Sequence, residues 1–298
     1  MSVEFIALGT CGGYPRPKRA CSGYLIRSSK SNLLLDIGNG VLSNLQTFIQ
    51  FYEVSAIALS HMHPDHYADI FSIFTAIRFF PVELEPITVL APAGAFDFIR
   101  PALSLEARES FFKVFRWIEW EETDGREGEK GAPTNKEREE SGGCGKMANL
   151  NESCGVGRSA DGPDYIEYTY ESPLRISGFD ILPAKVNHSI NTLGYRIEVE
   201  GRVIAYSGDS DICDALIEIG KDADLFICEA TFTHQVHEKG GGHLFASEAG
   251  RIAAAAKAKR LIITHIWPLF DEDVAVVEAG KEFGGGVERA FEGMRITF

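Results

Sequence analysis

The chain has 298 residues, 45% of them hydrophobic and 24% charged, an ordinary balance for a globular protein with one large core or two small ones. Its 29 Lys and Arg face 43 Asp and Glu, and the net charge of −14 disfavours extensive nucleic-acid contact, which depends on basic side chains neutralising phosphates. Without a run of about 18 apolar residues or a basic leader before a hydrophobic core, neither a membrane span nor a signal peptide is expected.

The six cysteines are scattered and form no C-x-x-C pair, which suits reduced thiols and a cytoplasmic location. Positions 3–8 form a short apolar run, followed by Gly9-Thr10-Cys11-Gly12-Gly13 and Tyr14-Pro15-Arg16-Pro17. Glycines of this kind let backbone N–H groups approach an anion, but no P-loop Lys-Ser/Thr follows, and a structural turn beside a site is an equal alternative. Residues 24–27 and 33–36 read as a strand pair around the turn 28–32. Asp36 ends the second strand, where it can hold a histidine N–H or cap the next turn. Positions 41–52 have helical spacing, and 54–59 form a buried-strand run.

Directly after that run stands Ser60-His61-Met62-His63-Pro64-Asp65-His66, with helical spacing over 67–80. In an extended loop His61 and His63 share a face. Asp65 and His66 fall in the first helical turn and point back toward the same space. Imidazole and carboxylate suit a borderline divalent metal, zinc first. Adjacent Asp65 and His66 cannot both join His61 and His63 on one ion without strain, so two metals are expected.

Residues 87–91 read as a strand, while 94–103 and 106–117 carry helical patterns interrupted by Pro101. From 121 to 164 the chain is rich in Gly, Glu, Lys, Ser and Asn and poor in large apolar residues. Such a segment cannot bury enough surface to offset its ordering entropy, so a flexible surface insertion is expected. Cys144 and Cys154 inside it have no neighbouring His or second pair to make a zinc clip. Strand patterns resume at 165–170 and 179–186, the latter ending in Asn187-His188-Ser189. A hairpin over 194–199 and 202–207 turns at Glu200-Gly201 and ends in Gly208-Asp209-Ser210-Asp211. A helix over 212–219 and a strand over 224–228 lead to Glu229-Ala230-Thr231-Phe232. The next loop holds His234 and His237, read as surface residues, and Gly240-Gly241-Gly242-His243. An alanine-rich helix over 246–258 and a strand over 260–264 follow, the strand ending at His265. Alternating strands and helices, with polar side chains at successive strand ends, argue for an α/β fold.

This ordered set of strand-end residues resembles the metallo-β-lactamase superfamily, whose first motif is His-x-His-x-Asp-His and whose later His, Asp and His follow at separate strand ends. The resemblance covers nearly all of the chain outside 121–164. It implies an αββα four-layer sandwich, a single domain over 1–298. It further implies that His61, His63 and His188 hold one metal, Asp65, His66 and His265 the other, and that Asp209 bridges them. Zn2+ is the first expectation, with Mn2+ and Fe2+ as alternatives. Asp209 stands where class B β-lactamases mostly place a Cys, which argues against that activity.

The stretch Cys228-Glu229-Ala230-Thr231-Phe232, with His243 and Ala246-Ser247-Glu248-Ala249, resembles the ribonuclease Z-like phosphodiesterase branch. There a His before a helix faces the scissile phosphate, oriented by a Glu at a strand end. By that resemblance His243 and Glu229 are catalytic, alongside Asp65, which orients the attacking water. Two departures matter. Leu244-Phe245 replace the Ser-Thr typical of ribonuclease Z, and the interval from His188 to Asp209 has room for a hairpin but not for a tRNA-gripping arm. Gly12-Gly13-Tyr14-Pro15, Ala20-Cys21-Ser22-Gly23-Tyr24 and Thr264-His265-Ile266-Trp267-Pro268 resemble a smaller bacterial and archaeal group of metal-dependent hydrolases, some acting on cyclic nucleotides. The expectation is hydrolysis of small phosphodiesters such as cyclic nucleotides by a protein that pairs as a homodimer. The alternatives are a tRNA 3′-processing endonuclease, a glyoxalase II-type thioester or lactone hydrolase, and a non-catalytic metal-binding protein.

Overall fold

The computed structural model describes residues 2–122, 156–157, 164–168, 173–236 and 241–298. Its strands in chain order are β1 (Glu4–Gly9), β2 (Gly23–Arg27), β3 (Asn32–Leu35), β4 (Ala56–Ala58), β5 (Ile87–Pro92), β6 (Phe115–Glu122), β7 (Val156–Gly157) and β8 (Asp164–Tyr168). The second half adds β9 (Leu174–Ile176), β10 (Phe179–Lys185), β11 (Leu193–Val199), β12 (Arg202–Tyr206), β13 (Leu225–Glu229), β14 (Leu261–Thr264), β15 (Val287–Arg289) and β16 (Arg295–Thr297). Helices α1 (Val41–Leu45), α2 (Pro64–Tyr67), α3 (Ile70–Arg78), α4 (Ala95–Ile99) and α5 (Leu105–Val114) belong to the first half. Helices α6 (Asp214–Gly220), α7 (Ala246–Ala255) and α8 (Glu272–Phe283) belong to the second. One sheet has the order β16-β1-β2-β3-β4-β5-β6-β8-β7, the other β15-β14-β13-β12-β11-β10-β9. Among the described residues no helix is long and apolar enough to cross a membrane.

Period-two alternation makes the layers. Phe5, Tyr24, Leu33 and Ala58 of the first sheet meet Ile181, Ile204, Leu225 and Ile262 of the second in one core between the sheets. Their neighbours Ile6, Leu25, Leu34 and Ile57 face outward under the helical layer of Ile73, Phe74 and Phe111. On the far side Ala205, Phe226, Leu261 and Ile263 pack against Leu216, Ala249, Ala253 and Ala279. The expected αββα sandwich follows from this partition. At the hairpin between β11 and β12, Glu200 and Gly201 have φ of 48° and 76°, the left-handed pair that a two-residue turn requires.

Several boundaries differ from the pattern-based expectation. The expected helix over 106–117 ends at Val114, and Phe115–Glu122 becomes an interior strand parallel to β5. Phe115 and Trp117 face the outer helices while Ile118 and Trp120 face the inter-sheet core. A strand buried on both faces shows no polar alternation, so its apolar run looks like the continuation of a buried helix. The helix expected over 67–80 is split, with α2 starting at Pro64 and α3 at Ile70. Residues 41–52 hold only one short helix before a 3-10 turn at Phe51–Glu53. Most of the 121–164 segment, with Cys144 and Cys154, lies outside the described residues. At its margins β6 continues to Glu122, and β7 and β8 extend the first sheet. The remaining four cysteines, Cys11, Cys21, Cys213 and Cys228, are free.

Helices α7 and α8 touch at Gly250, where an added Cβ would lie 2.2 Å from the Ala279 carbonyl oxygen. Gly280 on α8 has open space at the equivalent point. Alanine gains up to about 1 kcal/mol of helix propensity over glycine, whereas forced overpacking costs about 1–3 kcal/mol. Gly280→Ala is therefore expected to raise the melting temperature and Gly250→Ala to lower it. A rise in both would show that the α7–α8 contact is loose.

Candidate metal centre

Polar side chains collect where strands of both sheets end. Asp36 follows β3, His61 and His63 follow β4, and Asp65 and His66 lie on α2. His188 follows β10, Asp209 follows β12, Glu229 closes β13 and His265 follows β14. The sheets are fastened together at this edge. Tyr195 donates to the Leu59 carbonyl at 2.7 Å, the Leu193 amide donates to the Ser60 carbonyl at 2.9 Å, and Tyr24 and Thr264 hydroxyls share a 2.6 Å bond.

The structure brings all seven sequence-selected metal candidates together. Atoms of His61, His63, His188 and Asp209 lie within 4.8 Å of one another, as do atoms of Asp65, His66 and His265. In the first group His61 Nε2 is 3.0 Å, and His188 Nε2 3.2 Å, from His63 Nδ1. In the second, His265 Nε2 is 3.2 Å from both His66 Nε2 and Asp65 Oδ2. Asp209 Oδ2 stands between them, 3.7 Å from His61 Nε2, 3.3 Å from His66 Nε2 and 3.4 Å from His265 Nε2.

Hydrogen bonds behind the rings assign their tautomers. Ser60 donates its hydroxyl to Asp36 Oδ2 at 2.7 Å, so its oxygen accepts from His61 Nδ1–H at 2.9 Å. His66 Nδ1–H donates to Asp36 Oδ2 at 2.7 Å, and His188 Nδ1–H to the Gly242 carbonyl at 2.7 Å. Thr231 donates to Glu229 Oε2 at 2.7 Å and accepts from His265 Nδ1–H at 2.9 Å. Each of these four imidazoles thus turns Nε2 toward the centre, the nitrogen that can offer its lone pair to a cation. Asp209 Oδ1 is buried with no hydrogen-bond partner. Lone pairs held this close repel unless a cation lies among them. A tetrahedral zinc with bonds of about 2.0–2.1 Å sets its ligands about 3.3 Å apart, matching the observed spacings. The donor set fits a divalent metal.

Electrostatics agree with that fit. Burial, followed by repulsion from His66, lowers the pKa of His61 well below its ordinary value. Burial also opposes charge on His66, but Asp209 and Asp36 outweigh it and raise its pKa well above the usual range. Burial would raise Asp209, yet His265 and His66 hold it ionised well below the ordinary carboxylate value. The carboxylates create a pocket that stabilises positive charge between the rings.

The sequence allows two roles each for Asp36 and the glycine stretch, and the structure decides both. Asp36 is fully buried and accepts from Ser60 N at 2.6 Å and Tyr206 OH at 2.6 Å as well as from His66 and the Ser60 hydroxyl, so it orients the histidine. The Gly13 amide donates to Asp65 Oδ2 at 2.8 Å, so the anion met by the glycine loop is the protein's own carboxylate. Thr231 and Tyr206 were not singled out as orienting residues. Thr231 stands two residues beyond Glu229 on an extended chain, a spacing that places both on one face.

His243 lies beside the cluster, its ring stacked 5.5 Å from His265 and edge to face with His188 at 4.9 Å. Its Nδ1 donates to Glu229 Oε1 at 2.9 Å. Glu229 is itself buried and fixed by Ser210 N at 2.9 Å and Thr231 N at 3.0 Å. Burial would lower the His243 pKa, but the Glu229 bond and charge more than offset it and raise it to about 9. His243 also comes within reach of Asp209 and His265 as a third candidate metal group. His234 remains outside, 59% exposed and paired with Glu278 at 3.1 Å, and His237 lies outside the described residues.

An αββα protein with a His/Asp divalent-metal site at the shared edge of its sheets is thereby defined. Residues 16–143 match the family model described as the metallo-beta-lactamase superfamily, and residues 150–266 the beta-lactamase superfamily domain. An uncharacterized protein of Mycobacterium leprae is 30% identical over 295 residues, 98% of this chain and 88% of that protein. The chain belongs to the metallo-beta-lactamase superfamily. The "Probable metallo-hydrolase YhfI" of Bacillus subtilis is 28% identical over 98% of each chain, and its crystal structure superposes with a TM-score of 0.75 over the whole of both chains. Ribonuclease Z of Myxococcus xanthus is 27% identical, covering 97% of this chain and 95% of that one.

Asp36→Asn keeps the size of the side chain but turns an NH2 group toward donors that need an acceptor. Loss of such an orienting partner typically costs 10–100-fold in metal affinity. That loss is expected in a zinc titration against a competing chelator. Unchanged affinity would mean that Asp36 only braces the turn.

Proposed function

We propose that the chain is a hydrolase using two divalent metal ions, zinc first among them, to cleave small phosphodiesters such as cyclic nucleotides. His61, His63 and His188 would hold one ion, Asp65, His66 and His265 the other, and Asp209 would bridge them. When bound, such ions lower the pKa of a water and neutralise charge on phosphate oxygens. Asp65, fixed through the Gly13 amide, orients the attacking water.

The observation that carries the phosphodiester reading is His243 on Glu229. With Nδ1 locked onto a buried carboxylate, Nε2 is the ring nitrogen left to meet a phosphate or leaving-group oxygen. A thioester expels a thiolate, which leaves without a proton donor, so an imidazole at that point adds little to thioester hydrolysis. The similarity to a protein named ribonuclease Z supports the same bond class, and the charge of −14 favours a small substrate over a long polyanion. Four free cysteines suit a reducing, cytoplasmic setting. The 121–164 segment is read as an insertion into a single domain.

Bis-p-nitrophenyl phosphate should be turned over with Zn2+ or Mn2+, and cyclic nucleotides in preference to precursor tRNA or S-lactoylglutathione. His243→Ala should lower kcat about 10²–10⁴-fold with metal content unchanged, because it removes a proton-handling group and not a ligand. Loss of metal in that variant would assign His243 to the ion. No turnover of any phosphodiester with either metal would sink the proposal.

A further inference from the structure

An aromatic pair borders the Asp65–His265 side of the centre. Tyr14 follows Gly13, the residue whose amide binds Asp65, and is 41% exposed. Trp267 lies two residues beyond His265, so its Cα is within about 7 Å of that ligand candidate. Its amide donates to the carbonyl of Thr231, the residue that orients His265. The two rings meet edge to face, 5.7 Å apart and at 84°.

The pair is held in place from behind. The Trp267 ring lies over Gly13, where an added Cβ would come within 2.5 Å of it. Arg16 donates to the Pro268 carbonyl at 2.9 Å and pairs with Glu272 at 3.2 Å, tying the two aromatic loops together. Here a rigid, half-open aromatic edge is anchored to the residues that position Asp65 and His265.

We propose that Tyr14 and Trp267 form a stacking wall for a planar group of the substrate, a nucleobase, and so select nucleotides among phosphodiesters. This rests on the phosphodiesterase reading of the same site. Stacking on an aromatic side chain tolerates any base, because every base has a π-face. The wall therefore favours nucleotides as a class, and it leaves the choice among adenine, guanine and the pyrimidines weak.

Trp267 itself reports on the wall. Of the three tryptophans, Trp117 and Trp120 are 1% and 2% exposed, but Trp120 lines the cavity beside His188, so quenching is assigned to the wall by its loss in Trp267→Phe. Metal-loaded protein should be titrated with AMP and with ribose 5-phosphate, following tryptophan emission. AMP should quench and bind roughly tenfold or more tighter than ribose 5-phosphate, Trp267→Phe should abolish the quench, and Tyr14→Ala should weaken AMP binding about tenfold. In turnover, Tyr14→Ala should raise KM for cyclic AMP more than it changes kcat, and more than it raises KM for glycerophosphoethanolamine, which has no planar group. Equal affinity for AMP and ribose 5-phosphate, absence of quenching, or equal losses on both diesters would overturn the wall. Turnover of bis-p-nitrophenyl phosphate alongside that result would leave the phosphodiesterase reading standing. Selective AMP binding without turnover of any diester would do the reverse.

Discussion

The mutual repulsion of unshared lone pairs is the constraint around which this protein is built. Imidazole nitrogens of His61, His63, His66, His188 and His265 and carboxylate oxygens of Asp65 and Asp209 crowd together, nitrogen against nitrogen at 3.0–3.2 Å and nitrogen against oxygen at 3.2–3.7 Å. The Nδ1 protons of His66, His61, His188 and His265 are spent behind the rings, on Asp36, Ser60, Gly242 and Thr231. Holding such a set together in a buried space is costly, and positive charge at its centre converts the cost into binding.

The fold meets that cost with unusual backbone. Asp36 and His265 both sit at positive φ, 58° and 57°, a conformation that costs a non-glycine residue about 1–3 kcal/mol and persists only where neighbours fix it. The His265 amide is tied to the Thr10 carbonyl at 3.1 Å. Glycines let the main chain close around these residues: a Cβ at Gly38 would lie 2.0 Å from the Asp65 carbonyl, and one at Gly242 2.5 Å from His188 Nδ1. The rigidity of the edge and the arrangement of donors are linked, since the orienting residues Asp36, Ser60 and Thr231 each stand within two residues of a strand end.

Much of the centre was legible in the sequence because its densest part is local. His61, His63, Asp65 and His66 occupy six consecutive positions, and the later members each close a recognisable strand. What stayed hidden depends on residues distant in the chain. Asp36 lies 30 positions before His66, and only the packing of β3 beside β4 decides between a histidine partner and a turn cap. Thr231 looks like any strand-end hydroxyl until β14 places His265 against it. The strand after α5 was concealed for the opposite reason: burial on both faces erased the alternation that marks a strand.

In the proposed reaction the substrate would meet His243 on its carboxylate and the aromatic edge of Tyr14 and Trp267. All of them are placed by their neighbours in the centre, so their proposed roles depend on the paired-ion site. Counting divalent ions per chain by native mass spectrometry, for the zinc-saturated protein and for Asp209→Asn, tests it most directly. Two ions on the unaltered chain, with at least one lost when Asp209 is changed, is the predicted result. A single ion or none on the unaltered chain at saturating zinc would contradict the account.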